Sequence, residues 1–151
     1  MNTQIDIYTN LLLKLSKKAL ALGELPISAI IVDPVNKKVI SACINQTKKN
    51  PILHAEINAI LKALKLTNSK RLDKFDLYCS LEPCAMCASA ISLSRIRRVY
   101  FCLEDKKSGG FINGPKLIYS INLHHKPKFY YGFKENVFLD LMENFFKKKR
   151  N

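Results

Sequence analysis

The sequence predicts an α/β fold, a three-layer α/β/α sandwich around a central mixed sheet of about five strands. Two observations support this prediction. Segments with helical spacing of apolar residues alternate along the chain with short runs rich in β-branched and aromatic residues. The 151 residues also suffice for one domain with a substantial core but are few for two. We therefore expect residues 1–151 to form a single domain.

The first half of the chain predicts two helices and two strands. An apolar helical face ends at Gly23; its members are Tyr8, Leu11, Leu12, Leu15, Ala19 and Leu22. Strands are expected in "PISAIIVD" and "KVISACIN", which the polar stretch "PVNKK" separates. "HAEINAILKALK" is typical of a helix, with a buried stripe of Ile57, Ile60, Leu61 and Leu64.

The second half continues the alternation of strand and helix. The strand "FDLYCSL" runs directly into the helix "PCAMCASAISLS". Pro83 is expected at or near the first position of that helix, where its missing N–H would have had no partner. "RVYFCL" is a fourth strand, and the Gly- and Lys-rich loop "EDKKSGGFINGPK" follows it. "KFYYG" is a candidate fifth strand, and "NVFLDLMENFFKKK" is an amphipathic closing helix.

The chain carries a formal net charge of +13, from 25 basic and 12 acidic residues. Such an excess favours a polyanionic partner, most simply a nucleic acid bound through its phosphates. Only five of the basic residues are arginines, so the lysine content could instead reflect a biased composition. The densest basic segment, Lys147–Arg150, could likewise be a solvated chain end.

The N-terminal sequence predicts neither a signal peptide nor a membrane span. It has no basic region before an apolar run, and Lys14, Lys17 and Lys18 interrupt the run "LLLKLSKKALAL". The cytoplasm is therefore the expected location. The five cysteines are odd in number and unevenly spaced, which in a reducing compartment favours metal or core roles over disulfides.

Two cysteines and a histidine form a candidate zinc site. Cys84 and Cys87 are spaced i, i+3 in the first turn of a predicted helix, so both sulfurs face one side. The positive end of the helix dipole lowers the pKa of thiols there, and the thiolate is the form that binds metal. His54 opens the preceding helix and could be the third ligand, which leaves one position open for water.

Glu56 makes a catalytic zinc site the favoured interpretation. It lies two residues after His54 and could reach the same opening without binding the metal. A carboxylate there could take a proton from the attacking water and pass it to a leaving nitrogen. H-x-E followed by P-C-x-x-C is typical of zinc-dependent nucleobase deaminases.

Other interpretations of the cysteines remain open at this point. A structural zinc would need a fourth ligand, for which the candidates are Cys43, Cys79, His124 and His125. A redox-active cysteine pair would explain neither His54 nor Glu56. Cys43, Cys79 and Cys102 are most simply small core residues in strands.

The chain resembles the bacterial tRNA-specific adenosine deaminases, a family within the cytidine-deaminase-like superfamily. "HAEI", "LEPCAMCASA", "SRIRRV" and "EDKKSG" are similar to that family's segments and occur in the same order. "HAE" and "PCAMC" are common to the superfamily. "SRIRRV", the Asp105–Lys107–Gly109 pattern and the basic aromatic tail favour a tRNA substrate.

The resemblance implies a cytidine-deaminase-like fold and a single zinc-dependent deaminase domain. It implies that His54, Cys84 and Cys87 bind Zn²⁺ and that Glu56 transfers protons. From "CINQ" it implies that Asn45 recognises the target base, and it places Asp105 at the adjoining sugar–phosphate. It further implies a homodimer in which the partner completes each site.

The implied reaction converts adenosine to inosine at the wobble position of a tRNA anticodon stem-loop. A deaminase of free guanine or cytosine is an alternative, as is an inactive, zinc-stabilised RNA-binding module. The sequence departs from the family's usual pattern at Ser28, at Leu53 and in the loop Gly110–Pro115, all of which we expect near the pocket.

Overall fold

The computed structural model describes residues 3–150 as four α-helices, five strands and one short 3-10 turn; residues 1, 2 and 151 of the predicted domain lie outside this range. The helices are α1 (Gln4–Ala21), α2 (Ala55–Thr67), α3 (Ala85–Leu93) and α4 (Glu135–Arg150). The strands are β1 (Ser28–Asp33), β2 (Lys38–Ile44), β3 (Asp76–Leu81), β4 (Arg98–Leu103) and β5 (Lys128–Tyr131). The 3-10 turn is Leu117–Tyr119.

The five strands form one mixed sheet in the order β2-β1-β3-β4-β5. Strand β1 is antiparallel to both of its neighbours, whereas β3, β4 and β5 run parallel to one another. The connection from β3 to β4 passes through α3, as parallel neighbours require a crossover. The predicted mixed sheet of about five strands is confirmed.

Helices cover both faces of the sheet, which gives the three predicted layers. Alternate residues of β1 show the division, because successive side chains in a strand point to opposite faces. Ala29 and Ile31 lie in the apolar cluster with α2 and α3. Ile30 and Val32 lie in the second cluster, with α1 and α4. The functional side chains discussed below belong to the α2/α3 layer.

The buried face of α2 differs from the predicted stripe. Its fully buried core side chains are alanines (Ala55, Ala59, Ala63), joined by Ile60. Leu61, predicted to be buried, is 57% exposed. Small side chains are needed because the helix lies close to the sheet: the Ser41 hydroxyl of β2 donates a hydrogen bond of 2.8 Å to the backbone carbonyl of Ala59.

Helix α1 begins with a capping box between Thr3 and Asp6, and most of its predicted face is correct. Tyr8, Leu12 and Ala19 are buried, but Leu22 is exposed because it lies after the last helical residue. Within residues 3–150, no helix combines the length and the apolar character that crossing a membrane requires.

Helix α3 begins later than the sequence suggested. Its first residue is Ala85, Cys84 is the N-cap with extended backbone, and Pro83 precedes the cap rather than starting the helix. His54 is likewise the N-cap of α2. An N-cap residue lies outside the helical turn beside free backbone N–H groups, so both positions direct a side chain at the mouth of a helix.

Candidate active site and metal centre

The N-termini of α2 and α3 bring His54, Cys84 and Cys87 together. His54 Nδ1 lies 3.6 Å from Cys84 Sγ and 3.6 Å from Cys87 Sγ. The three potential ligand atoms all lie within 4.8 Å of one another. His54 and Cys84 are half-buried and Cys87 is buried, so the cluster is partly accessible to solvent.

The spacing of these atoms fits a tetrahedral zinc ion. With Zn–N of about 2.0 Å and Zn–S of about 2.3 Å, ligand atoms at a tetrahedral angle are about 3.5 Å apart. The observed sulfur–nitrogen distances of 3.6 Å match this separation. One imidazole and two thiols are also the donors that zinc prefers. The site therefore fits three protein ligands with a fourth position free.

The surroundings shift the pKa values of the two thiols in opposite directions. Hydrogen bonds from Cys87 and from His54 lower the pKa of Cys84 to about 4. The hydrogen bond to Cys84, together with burial, raises the pKa of Cys87 well above its usual value. The hydrogen bond between His54 and Cys84 raises the pKa of His54. Zinc binds cysteine as the thiolate, so a bound divalent cation would favour ionisation of both sulfurs.

Glu56 lies beside the cluster in the first turn of α2. The residue is only 3% exposed, and its Oε2 accepts a hydrogen bond of 3.5 Å from the Cys87 thiol. Burial raises the pKa of Glu56 to about 7. A carboxyl group with such a pKa can both accept and release a proton at neutral pH.

The candidate fourth ligands lie away from the cluster. Within residues 3–150, His54, Cys84 and Cys87 are the group of three or more His, Cys, Asp or Glu residues arranged to hold a metal ion. Cys79 is buried in β3, where its thiol faces the Tyr100 carbonyl, and His125 contacts the carbonyl of Ile96. The structure therefore gives no support to a closed, four-ligand structural site. Cys79 and Cys102 are buried strand residues, as predicted, and Cys43 is partly buried.

Asn45 follows β2 and lies next to the metal cluster in space. It is buried, and its Oδ1 accepts a hydrogen bond of 2.9 Å from the backbone N–H of Ala55, directly after His54. Among the described residues, none accepts a hydrogen bond from its amide Nδ2. The Oδ1 atom of Asn45 thus binds the start of α2, while its Nδ2 is available to donate to a substrate.

Asp105 lies in the loop after β4 and is half-buried. Its Oδ1 accepts hydrogen bonds from the backbone N–H groups of Lys107 (3.1 Å) and Ser108 (2.9 Å). This is the turn-capping geometry typical of Asp in polar loops. One carboxylate oxygen is used in this turn, and Oδ2 makes no protein hydrogen bond among residues 3–150.

Comparison with known proteins identifies the family. Residues 2–103 match the family described as the cytidine and deoxycytidylate deaminase zinc-binding region. A tRNA-specific adenosine deaminase of Rickettsia bellii is 42% identical over 142 residues, which cover 92% of this chain and 97% of that protein. The chain belongs to the tRNA-specific adenosine deaminase family.

Solved structures agree with this membership. The structure of a tRNA:A34 deaminase, studied for A-to-I editing at the wobble position of transfer RNA, has a TM-score of 0.84 and 36% identity. It covers 88% of this chain and 96% of its own. A guanine deaminase from Bacillus subtilis has a TM-score of 0.59 and 27% identity, and the match covers 92% of this chain and 89% of that one. Both similarities support the cytidine-deaminase-like fold.

The structure places the three departures from the family pattern differently. The Ser28 hydroxyl donates to the carbonyl of Leu12 (2.8 Å) and pairs with Ser16, so it faces α1, on the opposite side of the sheet from the metal cluster. The Ser28 side chain therefore does not face the metal cluster, although its backbone lies at the same end of the sheet, where the carbonyl of the preceding Ile27 accepts a hydrogen bond from the Asn45 N–H. Leu53 is half-buried directly before His54. Gly110, in the third departure, packs against the backbone of Cys84 and Ala85, where a Cβ would collide with it.

Two buried acidic residues that bind loops leading to or from the site residues were not identified from the sequence. Glu82 accepts hydrogen bonds from the loop after β4, and Glu24 accepts them from Lys48 N–H (2.9 Å) and Thr47 hydroxyl (3.3 Å) in the loop that leads to His54. A proline follows each residue closely in the sequence: two positions after Glu24, in "ELP", and directly after Glu82, in "EPC". An acidic residue between an apolar segment and a proline is a signal that could have marked both.

Proposed function

We propose that the protein is a zinc-dependent deaminase that hydrolyses adenosine to inosine at the wobble position of a tRNA anticodon, with residues 1–151 forming one catalytic domain. The decisive observation is the cluster of His54, Cys84 and Cys87 with the Glu56 carboxyl beside it. The 42% identity to a tRNA-specific adenosine deaminase supports the choice of substrate.

The residues divide the chemistry between them. His54, Cys84 and Cys87 would hold the zinc ion, which when bound would supply the Lewis acidity that hydrolysis at C6 of adenine needs. Glu56 accepts a proton from the attacking water at its carboxylate and delivers it to the departing amino nitrogen. The overall reaction consumes one water and one adenosine and yields inosine and ammonia.

Asn45 and Asp105 are the proposed contacts to the RNA. The free Nδ2 of Asn45 would donate to an acceptor on the edge of the flipped base, while Oδ1 stays on the N–H of Ala55. Asp105 would use Oδ2 to accept from the sugar hydroxyl of the adjoining nucleotide, which distinguishes RNA from DNA. The net charge of +13 supports phosphate contacts to the anticodon stem-loop, in which Lys147–Arg150 would take part.

We further propose that the chain works as a homodimer in the cytoplasm. Leu93 at the end of α3 is 76% exposed and Ile121 is 93% exposed. Their segments adjoin, because the N–H of His125 donates to the Ser92 hydroxyl. A second copy burying this surface would lie beside the helix that carries Cys87. Sedimentation of the wild type and of a Leu93→Lys, Ile121→Lys variant tests this; a monomeric wild type would contradict it.

The cytoplasm is the proposed location, because the five unpaired cysteines suit a reducing compartment.

One assay tests the substrate assignment. Purified protein is incubated separately with an anticodon stem-loop carrying adenosine at the wobble position, the same loop made of DNA, free adenosine, guanine and cytosine. We expect inosine in the RNA stem-loop and little product from the free bases. Deamination of guanine or cytosine without reaction on the stem-loop would replace our proposal with a free-base deaminase. Zinc and RNA binding without any product would indicate an inactive binding module.

A further inference from the structure

Glu82 is the most heavily hydrogen-bonded carboxyl group in the described part of the molecule. It is only 2% exposed and follows directly on β3, two residues before Cys84. Its Oε2 accepts from the backbone N–H groups of Phe111 (3.2 Å), Ile112 (3.0 Å) and Asn113 (2.9 Å). Its Oε1 accepts from the backbone N–H of Asp105 (3.1 Å) and from the Asn113 side-chain amide.

These five donors come from both ends of one loop, residues 104–113, which we call the site loop. No regular secondary structure satisfies the backbone N–H groups of Asp105, Phe111, Ile112 and Asn113. A carboxylate fits this cradle because both of its oxygens are acceptors. A carboxamide does not fit, since its NH₂ would face donors on whichever side it was placed. The charge and shape of Glu82 are thus both required.

The site loop in turn lies against the turn that carries the first cysteine ligand. The backbone N–H of Gly110 donates a hydrogen bond of 3.0 Å to the carbonyl of Pro83. A side chain at Gly110 would collide with the backbone of Cys84 and Ala85, so the contact between loop and helix start is direct. Asp105, at the other end of the loop, is held through its own N–H.

We propose that Glu82 is a positioning residue for RNA recognition: it holds the site loop against the start of α3, so that Asp105 meets the nucleotide next to the reacting base. This rests on the proposed function for the role of Asp105. Glu82 faces away from solvent and both its carboxylate oxygens are used within the protein, so it acts through the loop and not on the substrate.

The test uses zinc-loaded full-length protein with Glu82→Gln, and with Glu104→Gln as the matched control. Glu104 lies in the same loop but accepts only one hydrogen bond, of 3.3 Å, from Asn113. In Glu82→Gln, the amides of residues 105 and 111–113 should exchange hydrogen about tenfold faster or more, as expected when hydrogen bonds to a charged acceptor are removed. Amides in β1 and α2 should keep their rates in both variants, and zinc content should stay at one per chain.

The kinetic arm separates positioning from general damage. KM for the RNA stem-loop should rise about tenfold in Glu82→Gln with a smaller change in kcat, and Glu104→Gln should match wild type. In an Asp105→Ala background, Glu82→Gln should have much less effect on KM, because residues that act through one another are not additive. Full additivity, or unchanged KM with accelerated exchange, would overturn the proposal. Unchanged exchange would overturn it as well.

If Glu82→Gln does not fold, Asn113→Ala removes one donor to Glu82 and leaves the carboxylate in place; it should shift exchange and KM in the same direction by a smaller factor, and no shift would overturn the proposal. If wild type ignores the stem-loop and deaminates a free base, the proposed function fails. In that case, hydrogen exchange and KM for the free base are measured in Glu82→Gln. Faster exchange in the site loop with an unaltered KM would mean that Glu82 orders the loop but has no role in recognition, which contradicts our proposal.

Discussion

At the scale of single residues, Glu56 is the side chain whose chemistry cannot be replaced. Substitution by Gln keeps the approximate size of the side chain, whose Oε2 lies 3.5 Å from the Cys87 sulfur, but it removes the proton acceptor. We expect turnover of the RNA stem-loop to fall by about 10²–10⁴-fold, the usual contribution of a general acid–base. Zinc content and RNA affinity, measured by elemental analysis and filter binding, should be unchanged. Near-wild-type turnover would refute the proposed role.

Asn45 has two functions that different substitutions can separate. Asn45→Asp keeps the oxygen that accepts from Ala55 but removes the donor of the amide, so it should keep the contact to α2 and lose turnover. Asn45→Ala should lose turnover and also about 1 kcal/mol of stability, because the Ala55 N–H is left without its acceptor. Chemical denaturation and inosine formation measure the two effects. Equal stability of the two variants would argue against the helix-anchoring contact.

At the scale of secondary-structure elements, α2 packs on the sheet through alanines. Ala63→Val adds two methyl groups to a side chain with no exposed surface, and such overpacking typically costs about 1–3 kcal/mol. Leu61→Ala, on the opposite side of the same helix, should change stability by less than about 0.5 kcal/mol. Urea unfolding of both variants provides the comparison. A larger loss from Leu61→Ala would mean that α2 packs with its leucine face.

The elements themselves were largely predictable from sequence, because apolar periodicity reports directly on strands and amphipathic helices. The packing face of α2 was not predictable in this way. Leucine is more hydrophobic than alanine, so an apolar pattern assigns the leucines to the core, whereas the short distance between helix and sheet leaves room only for alanine. The zinc cluster was predictable because its motif has fixed spacing. The role of Glu82 was not, because its donors come from a loop 23–31 residues later that has no periodic pattern.

At the scale of the whole molecule, the net charge of +13 needs a location before it can be called an RNA-binding surface. Lys147, Lys148 and Lys149 lie exposed in the last turn of α4, and Lys149 contacts the Phe145 ring at 5.0 Å. Replacing these three lysines by Ala should weaken stem-loop binding. The log–log salt slope should fall by about 0.7 for each phosphate that the variant no longer neutralises.

A variant with equal charge removed elsewhere controls for the global field. Lys14, Lys17 and Lys18 are exposed on α1, and their replacement by Ala also lowers the net charge by three. We expect this control to change the salt slope much less. Equal slopes in both triple variants would mean that overall charge, and not the end of α4, attracts the RNA.

The placement of two zinc ligands at separate helix starts has a consequence for the unfolded chain. His54 and Cys84 are 30 positions apart, so a bound metal closes a loop that contains α2 and β3. By analogy with a disulfide, closing such a loop lowers the conformational entropy of the unfolded chain and raises its free energy by about 3–4 kcal/mol. Chelation should therefore lower the melting temperature of wild type and leave a His54→Ala, Cys84→Ser variant unaffected; identical melting with and without chelator would contradict this. In a cell short of zinc, a larger fraction of this protein would then be unfolded and open to proteolysis, and restoring the metal would not recover the chains already degraded.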